Sequence, residues 1–566
     1  MFCLNCGKQI DDTAKFCPYC GSLTADAAPK TANEEVILPT SRSTDPEPAA
    51  ASGKRSAPGK RPGLLIPVIA AAVVIVVALV ILLGGLFGGA KGTVAKAFIK
   101  TAEAYSSVTD QFGLSTALKM VSEQKYSQNL TAEITDVNGM MGGGASDLEG
   151  LGLRLTTDVN LPGEALGLSV TPFYDSTDLL TAQLLMDGSK IYFASPELLK
   201  ETIPGVDTKT LGKDLLAAGA EAEDIESLSF NTFEVIRKAI ELTAPSKDSK
   251  KVITDAAAQL ADAIEVEKVG KKSVSINKNR VDCTAYTVMI PQDAMEDFVK
   301  EIASTAEAMD YEAVCEELLT MCGFPEDVIE DTLDELAYEM DDMDVADYAD
   351  DFVDAMEDIL DTLGDLELEV CIKGGYIMSV IYDEKIDGEK IELGIYLGGG
   401  KNYVDDLSIE LNVDDELEII VTSTGDHGAK SGTFTDETTI EINEGSTEEI
   451  VVETKYAPKE KANNFSWSVD SSAFAITMNG QLNVSSNSME AQMHEVELEV
   501  YGMSVGTASV DYKLSGYKKS ISMKSPTMLS KMSEDDVMDL FDAIEENASD
   551  WAMDVLEEVP VLEYMF

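Results

Sequence analysis

The chain has 566 residues, 45% of them apolar, and 103 acidic against 42 basic side chains give a formal net charge of −61. That length predicts roughly two to four folded units. A polyanion of this size repels nucleic-acid phosphates, which bind through Lys and Arg, so DNA or RNA binding by the main body is excluded. Only the N-terminal 61 residues, with Lys8, Lys15, Lys30, Arg42, Lys54, Arg55, Lys60 and Arg61, carry enough basic groups for such contacts.

Residues 1–22 form a first unit marked by Cys3, Cys6, Cys17 and Cys20. Residues 23–62 are rich in Ala, Pro, Ser, Thr and Gly without apolar periodicity and read as a disordered linker. Leu64 to Phe87 is 24 residues without a charge. At about 1.5 Å per residue a helix of that length crosses a hydrocarbon core of roughly 30 Å, so a transmembrane helix is predicted over 63–89. The stretch is too long and too far from the N-terminus for a cleaved signal peptide. Flanking charges orient it only narrowly, since Lys54, Arg55, Lys60 and Arg61 are answered by Lys91, Lys96 and Lys100.

Beyond the span, residues 93–121 have helical spacing through Val94, Phe98, Ala102 and Tyr105. From about Gln124 the period becomes two, as in Leu151/Leu153/Leu155, Ile391/Leu393/Ile395/Leu397, Leu407/Ile409/Leu411/Val413, Leu417/Ile419/Val421 and Val496/Leu498/Val500. One apolar and one polar face mark antiparallel strands. Asp187-Gly188, Gly374-Gly375, Asp387-Gly388 and Asn479-Gly480 supply hairpin turns, and 139–144 a longer hairpin loop. An acidic helical insert is predicted over 292–365, with some two dozen Asp and Glu against Lys300 alone, broken at Gly323-Phe324-Pro325. A C-terminal helical segment is expected over 526–566, with Ser533 and Asp536 spaced as a capping box.

The expected fold class is therefore multidomain: a small metal-bound N-terminal unit, one transmembrane helix, and a mainly antiparallel β (α+β) ectodomain over 90–525 with the acidic helical insert. This order of elements is similar to the half-barrel of bacterial lipoprotein carriers, in which an open antiparallel sheet wraps helices around an apolar cavity.

Cys3-Leu4-Asn5-Cys6-Gly7 and Cys17-Pro18-Tyr19-Cys20-Gly21 are two CxxCG knuckles. Each directs two thiolates at one metal, and four soft sulfur ligands suit one tetrahedral zinc in a closed, structural site. A unit this short cannot build a core, so the metal supplies its folding energy. The same four ligands suit iron in a rubredoxin-like site. The segment over residues 2–21 resembles the zinc-ribbon family found at the N-terminus of many bacterial membrane proteins. The resemblance implies a structural zinc, a protein-contact or regulatory role, a bacterial source and a reducing cytoplasm. It thereby implies a single-pass protein of the bacterial cell membrane, with its N-terminus cytoplasmic and its C-terminal domain extracytoplasmic.

Cys283, Cys315, Cys322 and Cys371 are then extracytoplasmic, and the sequence leaves open whether they form disulfides or buried free thiols. Cys315 and Cys322 are too far apart on one continuous helix to bridge and pair only if the chain turns at Gly323, whereas Cys283 and Cys371 flank the insert and could clasp its base. Asp341, Asp342, Asp344, Asp347, Asp350, Asp351 and Asp354 lack the loop spacing of a calcium site and read as a solvated face. His427 and His494 are the two histidines, and neither stands in a nucleophile motif. Trp467 reads as a core or sheet-face aromatic.

No catalytic residue is assigned. The expectation is a membrane-anchored, non-enzymatic protein whose ectodomain binds or senses a lipid, an envelope component or a protein, while the zinc site contacts a cytosolic protein partner. Gly84/Gly88 and Gly85/Gly89 spacing allows a homodimer. A signalling scaffold acting through the ribbon and an envelope hydrolase around His427 or the insert are the alternatives.

Overall fold

The structure is a computed structural model. It describes residues 88–559 apart from 138–147, 201, 218–224, 245, 277, 308–310, 342–344, 387, 415–416, 428–432, 445 and 459–462. All of these belong to one structural unit within Gly63–Phe566.

Helix α1 (Gly89–Thr109) leads through a short turn into α2 (Leu114–Ser122). Strands β1 (Lys125–Val137), β2 (Leu151–Asn160), β3 (Ala165–Tyr174), β4 (Thr177–Asp178), β5 (Ala182–Asp187), β6 (Lys190–Ala194) and β7 (Pro204–Asp207) follow, with α3 (Pro196–Leu199) between the last two. Next come α4 (Leu211–Ala217), α5 (Thr232–Thr243), α6 (Lys247–Ala263) and the hairpin of β8 (Glu265–Ile276) and β9 (Asn279–Ile290). The acidic insert is four helices, α7 (Gln292–Glu307), α8 (Tyr311–Cys322), α9 (Glu326–Asp341) and α10 (Val345–Leu363).

A long run of hairpins follows: β10 (Leu366–Lys373), β11 (Tyr376–Ile386), β12 (Glu389–Leu397), β13 (Asp406–Val413), β14 (Leu417–Asp426), β15 (Phe434–Asn443) and β16 (Thr447–Tyr456). It continues through β17 (Asn464–Ser471), β18 (Phe474–Ser485), β19 (Ser488–Val500), β20 (Met503–Gly516) and the short β21 (Thr527–Met528). Helix α11 (Glu534–Glu558) closes the unit, its first turn held by reciprocal Ser533–Asp536 hydrogen bonds.

All 21 strands among the described residues belong to one sheet. Strands β8 to β20 pair with their chain neighbours, each antiparallel to the last. Strand β20 then pairs with β1, joining Tyr126 to Gly516 across the length of the chain, and β2, β3, β5, β6 and β7 extend the sheet. The β7–β21 pair is parallel. The β10–β11 hairpin turns on Gly374 and Gly375, both at positive φ (62° and 82°), the conformation a two-residue loop demands.

The main core lies where helices α1, α6, α7 and α10 cover strands β9 to β13. Phe98, Leu260, Phe298 and Leu360 meet Tyr286, Val370, Ile377, Tyr382 and Leu393, all under one tenth exposed. Burying each such side chain contributes about 1.5–3 kcal/mol, which makes this end of the sheet its best-anchored part.

Several expectations are corrected. The fold class with a transmembrane helix is not supported: among the described residues no helix is long and apolar enough to cross a membrane. Helix α1 carries Lys91, Lys96 and Lys100, and its apolar side, Val94, Ala97 and Phe98, is buried in the core. The stretch 64–87 and residues 1–62 lie outside the described residues, as does the loop 139–144. Gly88 and Gly89, half of the expected small-residue pairing, form the start of α1.

Asn479-Gly480 is not a turn but lies inside β18 opposite a bulge in β19, whose backbone comes so close that a side chain at 480 would meet the Gln492 carbonyl at 2.0 Å. His494 does not top the inner face. It sits exposed in the matching irregularity of β19 between Met493 and Val496. Residues 196–263, expected to continue the strands, hold four helices.

Candidate functional site

The four N-terminal cysteines, Cys3, Cys6, Cys17 and Cys20, lie outside the described residues. Their chemistry fits zinc: four thiolates and no oxygen donor make a soft, charge-compensating, tetrahedral set. Among the described residues, no group of three or more His, Cys, Asp or Glu side chains is placed to hold a metal. In the acidic insert, Asp351 and Asp354 are exposed, and the side chains of Asp341, Asp342, Asp344, Asp347 and Asp350 lie outside the description.

The second site is a buried polar cluster where the end of α1 crosses the sheet. His427, at the end of β14, is 6% exposed and stacks on Phe434 with ring centroids 5.0 Å apart. Its Nε2 is 2.8 Å from Asp436 Oδ1, and its Nδ1 faces the Val404 carbonyl. Both ring nitrogens therefore face acceptors, which the doubly protonated imidazolium satisfies. Burial by itself disfavours that charge, but the bonds to Asp436 and Val404 win and raise the His427 pKa. Asp436 goes the other way: burial opposes its ionisation, and hydrogen bonds from His427, Ser423 and Thr438 lower its pKa.

Ser423 Oγ donates to Asp436 at 2.6 Å and Thr438 Oγ1 at 2.8 Å. The His427 backbone N–H donates to the buried Asp405, and Gln111 Nε2 donates to the His427 carbonyl at 3.0 Å. Phe112 packs edge-on against Phe434 at 4.9 Å beside the cluster. The arrangement pins the α1–α2 turn to the sheet. A general base needs a ring nitrogen free to take a proton, and here both are engaged.

Among the scattered cysteines, all four are free thiols. Cys315 and Cys322 share helix α8, so the turn at Gly323 does not bring them together. Cys283 and Cys371 are buried on the adjacent strands β9 and β10. Burial, together with the neighbouring Cys371 thiol, pushes the Cys283 pKa up to about 12. Iodoacetamide applied to the native protein is therefore expected to leave Cys283 and Cys371 unmodified and to label both after denaturation. Peptide mass spectrometry reads this, and native-state labelling of Cys371 would contradict the packing.

The largest feature is a surface. One row of directly opposed side chains runs Tyr286–Val370–Val380–Ile395–Ile409–Val421–Ile440–Ile450 across eight strands. Its first three members are buried under the helices, while Val421, Ile440 and Ile450 are only half-buried. Two parallel rows, Val452–Val469–Ile476–Leu498 and Trp467–Met478–Val496–Ala508–Ile134, carry the same face onward to β1. None of these residues is buried, and Leu498 is 39% exposed.

The opposite face of the same strands is acidic, with Glu441 opposed to Glu449 and Glu437 to Glu453, and with Glu495, Glu497 and Glu499 on β19. Alternation of this kind belongs to a sheet with one covered face. Here the cover spans β9–β13 and, through Phe112 and α2, one end of β15–β19. Trp467 thus lies on the open apolar face. Sequence reading found the alternation in β2, β12, β13, β14 and β19 but not which strands share a face, because register is set by pairing across the whole chain.

The match to known proteins is confined to the N-terminus. No curated protein and no solved structure matches the chain, so the likeness to lipoprotein carriers carries no argument. Residues 2–23 match the zinc-ribbon domain, a zinc-binding module.

Proposed function

We propose that this is a non-enzymatic protein that joins a structural zinc ribbon to a β unit acting as a binding module, with the open half of the apolar sheet face as its binding surface. The observation that carries this reading is the row from Tyr286 to Ile450: one continuous face, closed by helices at one end and open at the other. Exposed apolar surface that is continuous over many strands marks an interaction site. The engaged His427 supports a structural role for the polar cluster rather than catalysis. The ribbon thiolates need a reducing compartment, and a protein contact through the ribbon fits its closed ligand set.

The neutral dye Nile red tests the surface. The full chain is expected to bind it saturably, with a blue-shifted emission, and Leu498→Asp is expected to weaken binding by about tenfold, or 1.4 kcal/mol. Undiminished binding by that variant would remove the open face from the account.

A further inference from the structure

We propose that the occupant of the open face is the alkyl chain of an uncharged or zwitterionic lipid, held in a groove across strands β20, β1, β2 and β3. This deepens the reading above and rests on it. The groove has a volume of about 370 Å³ and is lined by Ala132, Ile134, Leu151, Leu153, Pro172 and Ala508, with Glu133 and Gly152 between them in β1 and β2. That volume falls in the range of small-molecule sites, roughly 300–1,000 Å³. The register sets the aliphatic side chains on one face: Ala508 opposes Ile134, Ala132 opposes Leu153, and Leu153 opposes Pro172.

One helix borders this floor and another covers the far end of the same strands. Helix α11 docks beside it, with Val555 and Val559 packed with Leu151 and Tyr174, and Trp551 Nε1 donating to the Leu179 carbonyl at 2.6 Å. Helix α2 lies over β1, β19 and β20 and leaves Leu114, Leu118 and Val121 48–61% exposed, at one-turn spacing along its outer side.

Charge selects among occupants. A second copy would bring another net charge of −61 against the first, and an anionic headgroup would meet the same repulsion. A folded protein partner would need hydrogen bonds at about one per 100–200 Å². The floor offers few, because its side chains apart from Glu133, which alternates with Ala132 and Ile134 in β1, are aliphatic and its backbone is paired within the sheet. An alkyl chain needs neither charge nor hydrogen bonds, and each buried methylene contributes about 0.8 kcal/mol.

The two tryptophans make the test direct. Trp551 flanks the groove and Trp467 lies on the same face, while the uncharged stretch 64–87 contains no tryptophan. The full chain is titrated with short-chain phosphatidylcholine brominated on its acyl chains, below its micelle concentration, and with the unbrominated lipid as control. Saturable quenching is expected with the brominated lipid alone. Leu153→Asp is expected to weaken it about tenfold, and so is the bulkier, uncharged Ala508→Phe. The corresponding phosphatidylglycerol is expected to bind more weakly.

Absence of quenching would overturn the lipid assignment, as would quenching of both variants at wild-type strength. If quenching fails while Nile red still binds and Leu498→Asp still weakens it, the lipid is wrong and the binding face stands. If both fail, the face itself is not the site.

Discussion

Asp436→Ala is expected to destabilise the β unit by about 3–5 kcal/mol, the typical cost of leaving one member of a buried ion pair without its partner. The cost arises because His427 and Asp436 have side chains only 7% and 14% exposed, so water does not replace the lost carboxylate. Ser423 and Thr438 also lose their acceptor.

The pair also predicts a pH dependence, one sign for each partner. The His427 pKa is raised above 6.5, so its contribution is complete below that value and lost as pH rises through the folded-state pKa. The Asp436 pKa is lowered below 3.8, so its contribution is complete above that value and lost as pH falls through the folded-state pKa. The pair is therefore whole between about pH 4 and pH 6.5. Urea unfolding midpoints measured across pH for the wild type and His427→Gln would show their largest difference in that window and a shrinking one above it. A difference that grows with rising pH would contradict the imidazolium assignment.

Cys17→Ser is expected to abolish zinc binding at the N-terminal unit. A closed site of four ligands does not tolerate loss of one thiolate, and apparent zinc affinities of such small folds reach about 10–16 kcal/mol. Elemental analysis should find one zinc per chain in the wild type and close to none in the variant. The thermal unfolding of the β unit should be unchanged, since no metal-ligand group stands among the described residues. Full zinc retention by the variant would remove Cys17 from the ligand set.

Strands whose apolar residues alternate cleanly, such as Ile391 to Leu397 and Leu407 to Val413, were legible because alternation is a local property. The helical character of the acidic insert and its break at Gly323 were legible too, since the apolar spacing of α9 and α10 spans whole turns between acids, but its division into four helices was not. Helix α6 was not. Its core side is Ala256, Ala257, Leu260 and Ala261, a stripe of mostly small residues in a Lys- and Asp-rich sequence that gives little periodic contrast.

Gly480 was misread for a related reason, because Asn-Gly signals positive φ and equally the room for a close strand in a bulge. The polar cluster was half legible: His427 was visible as a residue, but its partner Asp436 stands in the next strand among many acids. The open face was invisible to sequence reading, since the β20–β1 junction brings together Ala508 and Ile134 from opposite ends of the chain.

The claim that one face of this sheet binds and the other does not is tested most directly on two consecutive residues of β18. Ile476 lies on the apolar face, opposed by Val469 and Leu498, and Thr477 lies on the acidic face, opposed by Ser468 and Glu497. Ile476→Asp and Thr477→Asp add the same charge at neighbouring positions of one strand. Nile red titration of the full chain should show about a tenfold loss for the first and wild-type binding for the second. Equal binding by the two variants would contradict the account.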